Sequence, residues 1–248
     1  VIGSKPYWCW GFEHGLNEFD VAIGNTGVHS REPFESPEGE SGLIGMDLVR
    51  LGLERGRTAY EAMHVIIDLL ETYGPGASER ARYHNNYLIA DPEEAWVLET
   101  AGRYWVAENV SNGIRAVGNL YTIGETWDEC HPELVTHAVE EGWCSSRDDF
   151  NFARDYYDYE ENPITGSLIR WRRATNLLEE SEGEITVNIV MRILRDHREG
   201  TFISPIWTPG EDFYTSLCCH ERPWGESQTA ASIVVELRSN MPRILRSS

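Results

Sequence analysis

The stretch YLIADPEEAWVLETAGRYWVAENV, residues 87–110, decides the fold class of this chain. Three short runs in it are rich in β-branched and aromatic residues: Tyr87–Asp91, Ala95–Thr100 and Tyr104–Val110. Asp91-Pro92 separates the first two runs and Ala101-Gly102 the last two, and breaks this short join neighbouring antiparallel strands. The stretch therefore predicts a β-meander.

The residues that precede the meander have helical periodicity. Apolar side chains recur at helical spacing within Gly39–Arg57 and again in a second helix that begins at Thr58. Thr58 and Glu61 have the spacing of a capping box, and Gly74-Pro75-Gly76 ends the second helix. We therefore predict two consecutive helices before the meander.

The residues that follow the meander alternate in blocks. Asn112-Gly113 suits a two-residue hairpin turn and leads into a predicted fourth strand, Ile114–Ile123. Asp148–Asn162 is acidic and rich in tyrosine, and it is expected to be a long surface loop. The remaining predicted elements are three helices, Pro132–Glu141, Leu168–Glu182 and Thr186–His197, and two strands, Thr215–His220 and Ala231–Leu237. Blocks of this kind favour α+β layers in one domain over residues 1–248.

The charge composition argues against several partners. Among 248 residues, 41 are acidic and 21 basic, for a net charge of −20. Such a surface repels nucleic acid and anionic membranes. No apolar run approaches the roughly 20 residues that a membrane-spanning helix needs. Adaptation to high salt and an ordinary acidic enzyme both remain open as the origin of this charge.

Metal and cofactor motifs are missing from the sequence. There is no P-loop, no GxGxxG and no HExxH pattern. His14, His84, His131 and His220 are scattered, and the five cysteines form no CxxC pair, so we predict no metal and no cofactor. The odd number of cysteines argues against a disulfide framework and favours a reducing compartment, so we expect a cytoplasmic protein.

Two asparagines and two arginines are candidates for chemistry. Asn25 and Asn119 each end an apolar run after a glycine, in VAIGN and RAVGN. A side-chain amide can donate to a developing oxyanion, but the spacing alone favours a common strand-ending turn at Gly-Asn. Arg170 and Arg173 share a face of a predicted helix and could bind a carboxylate, or form a solvated basic face.

Four long segments resemble the secernin/dipeptidase family of N-terminal-nucleophile hydrolases, which is similar to the choloylglycine and penicillin acylases. The segments are WGFEHGLNEFDVAIGN, GLIGMDLVRLGLERGRTAYEA, YLIADPEEAWVLETAGRYWVAENV and HPELVTHAVEEGW. The resemblance implies a four-layer αββα sandwich. It also implies that Asn25 is the oxyanion-hole asparagine and Asn119 a second active-site asparagine. The active-site arginine that binds substrate would be Arg170 or Arg173.

The nucleophile that the resemblance implies is an N-terminal cysteine whose own α-amino group is the base. Residue 1 here is Val1, so we expect the cysteine and its strand to lie in an upstream segment, with the domain incomplete at both ends. Cys9 is the alternative nucleophile. Cys218 and Cys219 fall in a predicted core strand and are expected to be buried small hydrophobes.

The expected function is therefore hydrolysis of an amide or peptide bond, as in a dipeptidase, with this chain alone inactive. An acylase on non-peptide amides and a non-catalytic binding or assembly module are the alternatives. The expected partners are a peptide or small amide substrate, and an upstream segment or a second chain that covers a sheet edge near Asn25 and Asn119. A homo-oligomer would supply such a second chain.

Overall fold

In the computed structural model, the described residues are 1–33, 42–77, 83–160, 165–201, 215–220 and 228–239. They form a mixed α/β architecture that contains one seven-stranded antiparallel sheet and six α-helices. Within these ranges no helix is long and apolar enough to cross a membrane.

The sheet is a continuous meander in which each strand pairs with the next strand along the chain. The strands are β1 Ile2–Ser4, β2 His14–Leu16, β3 Ala22–Val28, β4 His84–Ala90, β5 Ala95–Ala101, β6 Tyr104–Asn109 and β7 Glu129–Cys130. Strands β4, β5 and β6 confirm the meander predicted from residues 87–110. Strand β1 is an edge strand, and β3 lies inside the sheet between β2 and β4.

The helices are α1 Gly45–Arg55, α2 Ala59–Tyr73, α3 Leu134–Glu140, α4 Phe152–Tyr156, α5 Thr165–Glu179 and α6 Val187–Ile193. All five predicted helices are confirmed: four have shorter bounds, and α5 begins and ends three residues before its prediction. Residues 39–41 of the first prediction lie outside the described residues. The Thr58 hydroxyl accepts the Glu61 N–H, as the capping box predicts. The Glu61 carboxylate accepts the N–H of Arg57 rather than that of Thr58.

Each face of the sheet is covered by its own apolar cluster. Because side chains alternate along a strand, β3 buries Ile23 against α1 and α2 on one face and Val28 on the other. The second cluster contains Leu120, Tyr121 and Phe152. The two faces therefore lie in two separate environments, which matters for the site.

The predicted strand Ile114–Ile123 is wrong, because residues elsewhere satisfy its backbone groups. Its only β-bridge in the described structure is local, between Gly118 and Leu120. The Glu99 carboxylate accepts the N–H groups of Thr122 and Ile123. Strand β7 takes the place beside β6 that this segment was predicted to occupy.

Three further predictions are corrected. Residues 148–160 are not a surface loop, because they contain α4 and bury Phe150 and Tyr156 in the second cluster. Neither Thr215–His220 nor Ala231–Leu237 forms a strand, since no neighbouring strand pairs with either segment within the described residues. One sheet, with α1 and α2 on one face and α3 and α4 on the other, does not amount to four layers, so the αββα sandwich remains a prediction.

Candidate functional site

Asn25 lies in the middle of β3, and its side chain points toward the helices. It follows Ile23 by two residues, so it shares the face that packs on α1 and α2. Its Nδ2 donates to Oδ1 of Asn85 at 2.8 Å and lies 3.8 Å from Sδ of Met46. The Asn25 Oδ1 is buried and has no hydrogen-bond partner among the described residues. The amide nitrogen of Asn25 is therefore engaged inside the protein.

Asn85, which sequence reasoning missed, reaches Asn25 because α1 begins with a glycine. A Cβ on Gly45 would lie 2.0 Å from Oδ1 of Asn85. Gly27 has a similar function, since a Cβ there would lie 2.6 Å from the ring of Tyr83. Gly45 thus allows the close packing that holds the asparagine pair.

Asn119 lies beside the C-terminal end of β3, and its side-chain amide is hydrogen-bonded at both its nitrogen and its oxygen. Its Nδ2 donates to the carbonyl oxygen of Gly27 at 2.8 Å, and its Oδ1 accepts from Nη2 of Arg170 at 2.8 Å. A guanidinium only donates and a carbonyl only accepts, so these partners fix which way the amide faces. The second N–H of Asn119 has no acceptor within the described part of the chain.

The carbonyl of Gly27 is accessible to Asn119 because β2 does not extend that far. The N–H of Asn25 donates to Glu13, so alternation turns the peptide groups of Asn25 and Gly27 toward β2. Strand β2 begins at His14, opposite Gly24. Past Asn25, β3 has no partner strand on this side among the described residues.

The segment that carries Asn119 is fixed to the sheet by buried side chains. Thr26 Oγ1 donates to the Gly118 carbonyl at 2.7 Å. Asn86, which is fully buried, donates through Nδ2 to the carbonyls of Gly118 and Leu120. The loop that carries Asn119 is thus positioned by strands β3 and β4.

Arg170 and Arg173 have different partners, although both are on α5. Arg170 contacts Asn119, whereas Arg173 forms a bidentate ion pair with Asp196, with N···O distances of 3.0 and 2.5 Å. Only Arg170 joins the group at the end of β3. Asn119 and Arg170 therefore form one unit, and the amide of Asn25 lies on the opposite face of the strand.

A cavity of about 650 Å³ lies beside the start of β2. Glu13, His14 and Asn25 contribute to its lining, together with Lys5 and Leu194. Burial raises the pKa of Glu13 and lowers the pKa of His14, so it favours the neutral form of each group. The cavity therefore has a partly desolvated polar wall that could hold a small polar ligand.

The environments of Cys9, Cys218 and Cys219 bear on the roles that the sequence suggested for them. Burial, with a further contribution from Asp47, raises the pKa of the Cys9 thiol, which disfavours the thiolate that a nucleophile needs. Cys218 and Cys219 are half-buried and lie outside any strand, so their assignment to a core strand is wrong. Cys218 instead lies beside His197 and His220. Its Sγ and one ring nitrogen of each histidine all lie within 4.8 Å of one another.

Two buried titratable groups lie near the site: His84, which the sequence showed only as one of several scattered histidines, and Glu99, which sequence reasoning missed. His84 accepts the Gly102 N–H through Nδ1, so its Nε2 carries the proton that is donated to the Glu32 carbonyl, and burial lowers the pKa of His84 to about 4. Burial raises the pKa of Glu99 to about 7. Glu99 lies in the apolar strand pattern AWVLETA, where its charge could have marked it.

A comparison with known protein families agrees with the sequence resemblance. The model of peptidase family C69 matches residues 13–139, more than half of the 248 residues. The match includes β3 with Asn25, helices α1 and α2, the meander and the Asn119 segment. The chain therefore belongs to peptidase family C69, which includes dipeptidases and secernin-like N-terminal-nucleophile hydrolases.

Proposed function

We propose that the protein is a dipeptidase-like amide hydrolase whose nucleophile is an N-terminal cysteine of an upstream segment. Membership of peptidase family C69 supports a peptidase activity. The arrangement of Asn119 supports amide hydrolysis in particular. Gly27 and Arg170 fix its side-chain amide, which keeps one N–H for a ligand.

Asn119 has the properties of an oxyanion donor. A neutral amide that is oriented before the substrate binds stabilises negative charge without a cost of reorganisation. Arg170 donates to Oδ1 of the same amide, so its positive charge polarises the N–H groups and adds electrostatic stabilisation. We therefore assign the oxyanion to Asn119 and an auxiliary role to Arg170.

Asn25 fits a positioning role better than a donor role. Its Nδ2 already holds Asn85, on the helix face of β3. The same strand presents the Gly27 carbonyl to Asn119. Asn25 thus stabilises β3, the strand that positions Asn119 through Gly27. Arg173 binds Asp196 and so stabilises the fold around α5.

The reaction requires the thiol of the upstream cysteine to add to the carbonyl carbon of the substrate. The α-amino group of that cysteine takes the thiol proton and returns it to the leaving amine as the C–N bond breaks. Water then hydrolyses the thioester and regenerates the thiol. Asn119 would bind the oxygen that becomes negative in both steps.

The side of β3 past Asn25 that has no partner strand among the described residues offers a place for the proposed upstream segment. A strand that paired there would lie beside the Gly27 carbonyl and so beside Asn119. An upstream segment of the same chain, or a second chain in a homo-oligomer, has the required backbone groups.

The test compares Asn119→Ala with Asn176→Ala in the protein that carries the upstream cysteine. Asn176 is exposed on α5 and serves as the matched control. Loss of one oxyanion donor is expected to lower kcat by about 10²–10³-fold with little change in KM, and Asn176→Ala is expected to be neutral. A folded Asn119→Ala variant with normal kcat would contradict the proposal.

Two further measurements identify the nucleophile and the substrate. Residues 1–248 alone are expected to hydrolyse no dipeptide, and the longer protein is expected to lose activity on thiol alkylation. Dipeptide hydrolysis by residues 1–248 that is lost on Cys9→Ala would make Cys9 the nucleophile. A panel of dipeptides and N-acyl amides would identify an acylase by faster turnover of the acyl amides.

A further inference from the structure

A group of three metal-ligand side chains lies far along the chain from the Asn119 site. The Nε2 atoms of His197 and His220 are 3.0 Å apart, and Sγ of Cys218 is 3.5 Å from Nε2 of His220. All three ligand atoms lie within 4.8 Å of one another, and each side chain is half-buried. Such a set of two imidazoles and a thiol is unrelated to the motifs that sequence reasoning used.

These separations match those between ligands of one metal ion. Tetrahedral Zn²⁺ with Zn–N of about 2.05 Å and Zn–S of about 2.3 Å separates two nitrogens by about 3.3 Å, and nitrogen from sulfur by about 3.6 Å. The observed 3.0 and 3.5 Å lie close to these values. Two of the three separations therefore suit one ion, and the third, between Nε2 of His197 and Sγ of Cys218, is at most 4.8 Å.

The carboxylate of Glu199 contacts Nδ1 of His197, whereas Nε2 of the same ring belongs to the cluster. Oε1 of Glu199 lies 3.2 Å from Nδ1 of His197, and Oε2 of Glu199 accepts the backbone N–H of the same histidine at 2.7 Å. A proton on Nδ1 leaves the Nε2 lone pair directed at the cluster. Carboxylate–histidine pairs of this kind orient and strengthen metal ligands.

The two segments that supply the ligands are fixed to each other. The Cys218 N–H donates to the Asp196 carbonyl at 3.2 Å, and Asp196 is itself held by Arg173 of α5. Arg198 has a φ of 70°, a left-handed conformation that costs energy in a residue other than glycine. This turn brings His197 toward Cys218, so the cluster is built by long-range contacts and not by chance proximity within one loop.

We propose that His197, Cys218 and His220 bind a transition-metal ion of the Zn²⁺ type. Mixed imidazole and thiolate ligands suit Zn²⁺ and Co²⁺ and disfavour Mg²⁺ and Ca²⁺. Binding releases the proton of the Cys218 thiol, because the thiolate is the ligand. Three protein ligands leave a fourth position for water or a small ligand, as in zinc sites that bind substrate. The proposal is independent of the hydrolase activity.

The test is a titration of the metal-free chain with Co²⁺, followed by absorbance. A thiolate ligand gives a charge-transfer band in the near ultraviolet, and tetrahedral Co²⁺ gives strong visible bands. We expect one equivalent to saturate both signals, with Zn²⁺ abolishing them by competition. Cys218→Ser is expected to remove the charge-transfer band, and the neighbouring Cys219→Ser is expected to keep it. Absence of the bands, or their survival in Cys218→Ser, would overturn the proposal.

Two measurements keep the test decisive if Cys218→Ser fails to fold. Glu199→Gln keeps all three ligands and is expected to weaken Co²⁺ binding about 10–100-fold. In the unchanged chain, Zn²⁺ is expected to protect Cys218 from iodoacetamide, with Cys219 as the internal control, as read by mass spectrometry. Equal alkylation of Cys218 with and without Zn²⁺ would refute the metal site and favour a thiol–imidazole pair.

Discussion

Glu99 is a fully buried carboxylate on β5, and its removal tests how the Asn119 segment is held. It accepts the N–H and the hydroxyl of Thr122 at 2.8 Å each, and the N–H of Ile123 at 3.1 Å. Burial raises the pKa of Glu99 to about 7, although these hydrogen bonds and Arg115 oppose the rise. The folded protein therefore binds the Glu99 proton more tightly than the unfolded chain does.

The sign of the pH dependence follows from this difference. Between the ordinary value of 4.5 and a folded pKa of about 7, the folded state holds a proton that the unfolded state has lost. Stability therefore falls as the pH rises through this window. One pKa unit corresponds to about 1.4 kcal/mol, so Glu99 is expected to remove about 3 kcal/mol of stability between pH 4.5 and pH 7.5.

The assay is urea unfolding of the wild type and of Glu99→Gln across this pH range. The difference between the two free energies of unfolding isolates Glu99, because other groups such as His84 titrate in both proteins. The glutamine side chain of the variant presents an amide to backbone N–H groups, which adds a pH-independent cost of about 1–3 kcal/mol. The wild type is therefore expected to be more stable than Glu99→Gln near pH 4.5. This difference in the free energy of unfolding is expected to shrink as the pH rises.

Glu93→Gln is the matched control, since Glu93 is exposed at the turn before β5. Its free energy of unfolding is expected to follow that of the wild type at every pH. A constant difference between wild type and Glu99→Gln from pH 4.5 to pH 7.5 would refute a buried carboxylate with a raised pKa.

Two further predictions concern packing and charge. Gly45→Ala is expected to cost about 1–3 kcal/mol, because the new Cβ would overlap Oδ1 of Asn85. Gly24→Ala, whose nearest neighbour is the His14 Cβ at 3.8 Å, is expected to be neutral, and equal urea midpoints for the two variants would contradict the packing. The net charge of −20 predicts that molar salt raises the melting temperature by screening self-repulsion, whereas an unchanged melting temperature would favour an ordinary acidic enzyme.

The elements that could be predicted from the sequence depend on local patterns. Strands β4–β6 follow from β-rich runs and short breaks, and helix α2 follows from its periodicity and the capping residue Thr58. Their hydrogen bonds join residues that are close in sequence, so the local pattern determines the structure.

The elements that could not be predicted depend on distant partners. Residues 114–123 are β-rich, yet their backbone groups bond to Thr26, Asn86 and Glu99, which are 23–92 residues away. The composition of a segment does not reveal such partners. The same reason hid the cluster of His197, Cys218 and His220, which two separate segments supply.

The candidate site shows how a common turn dipeptide can gain a specific geometry. Gly-Asn at residues 118–119 is a frequent strand ending, and the family resemblance alone suggested chemistry. Thr26 and Asn86 fix the glycine of the pair, and Arg170 fixes the amide of Asn119. None of these three contacts could be inferred from spacing, which left Arg170 and Arg173 equivalent. Because the same three residues orient the remaining N–H of Asn119, substitutions at Asn86 would misalign the donor without touching a substrate.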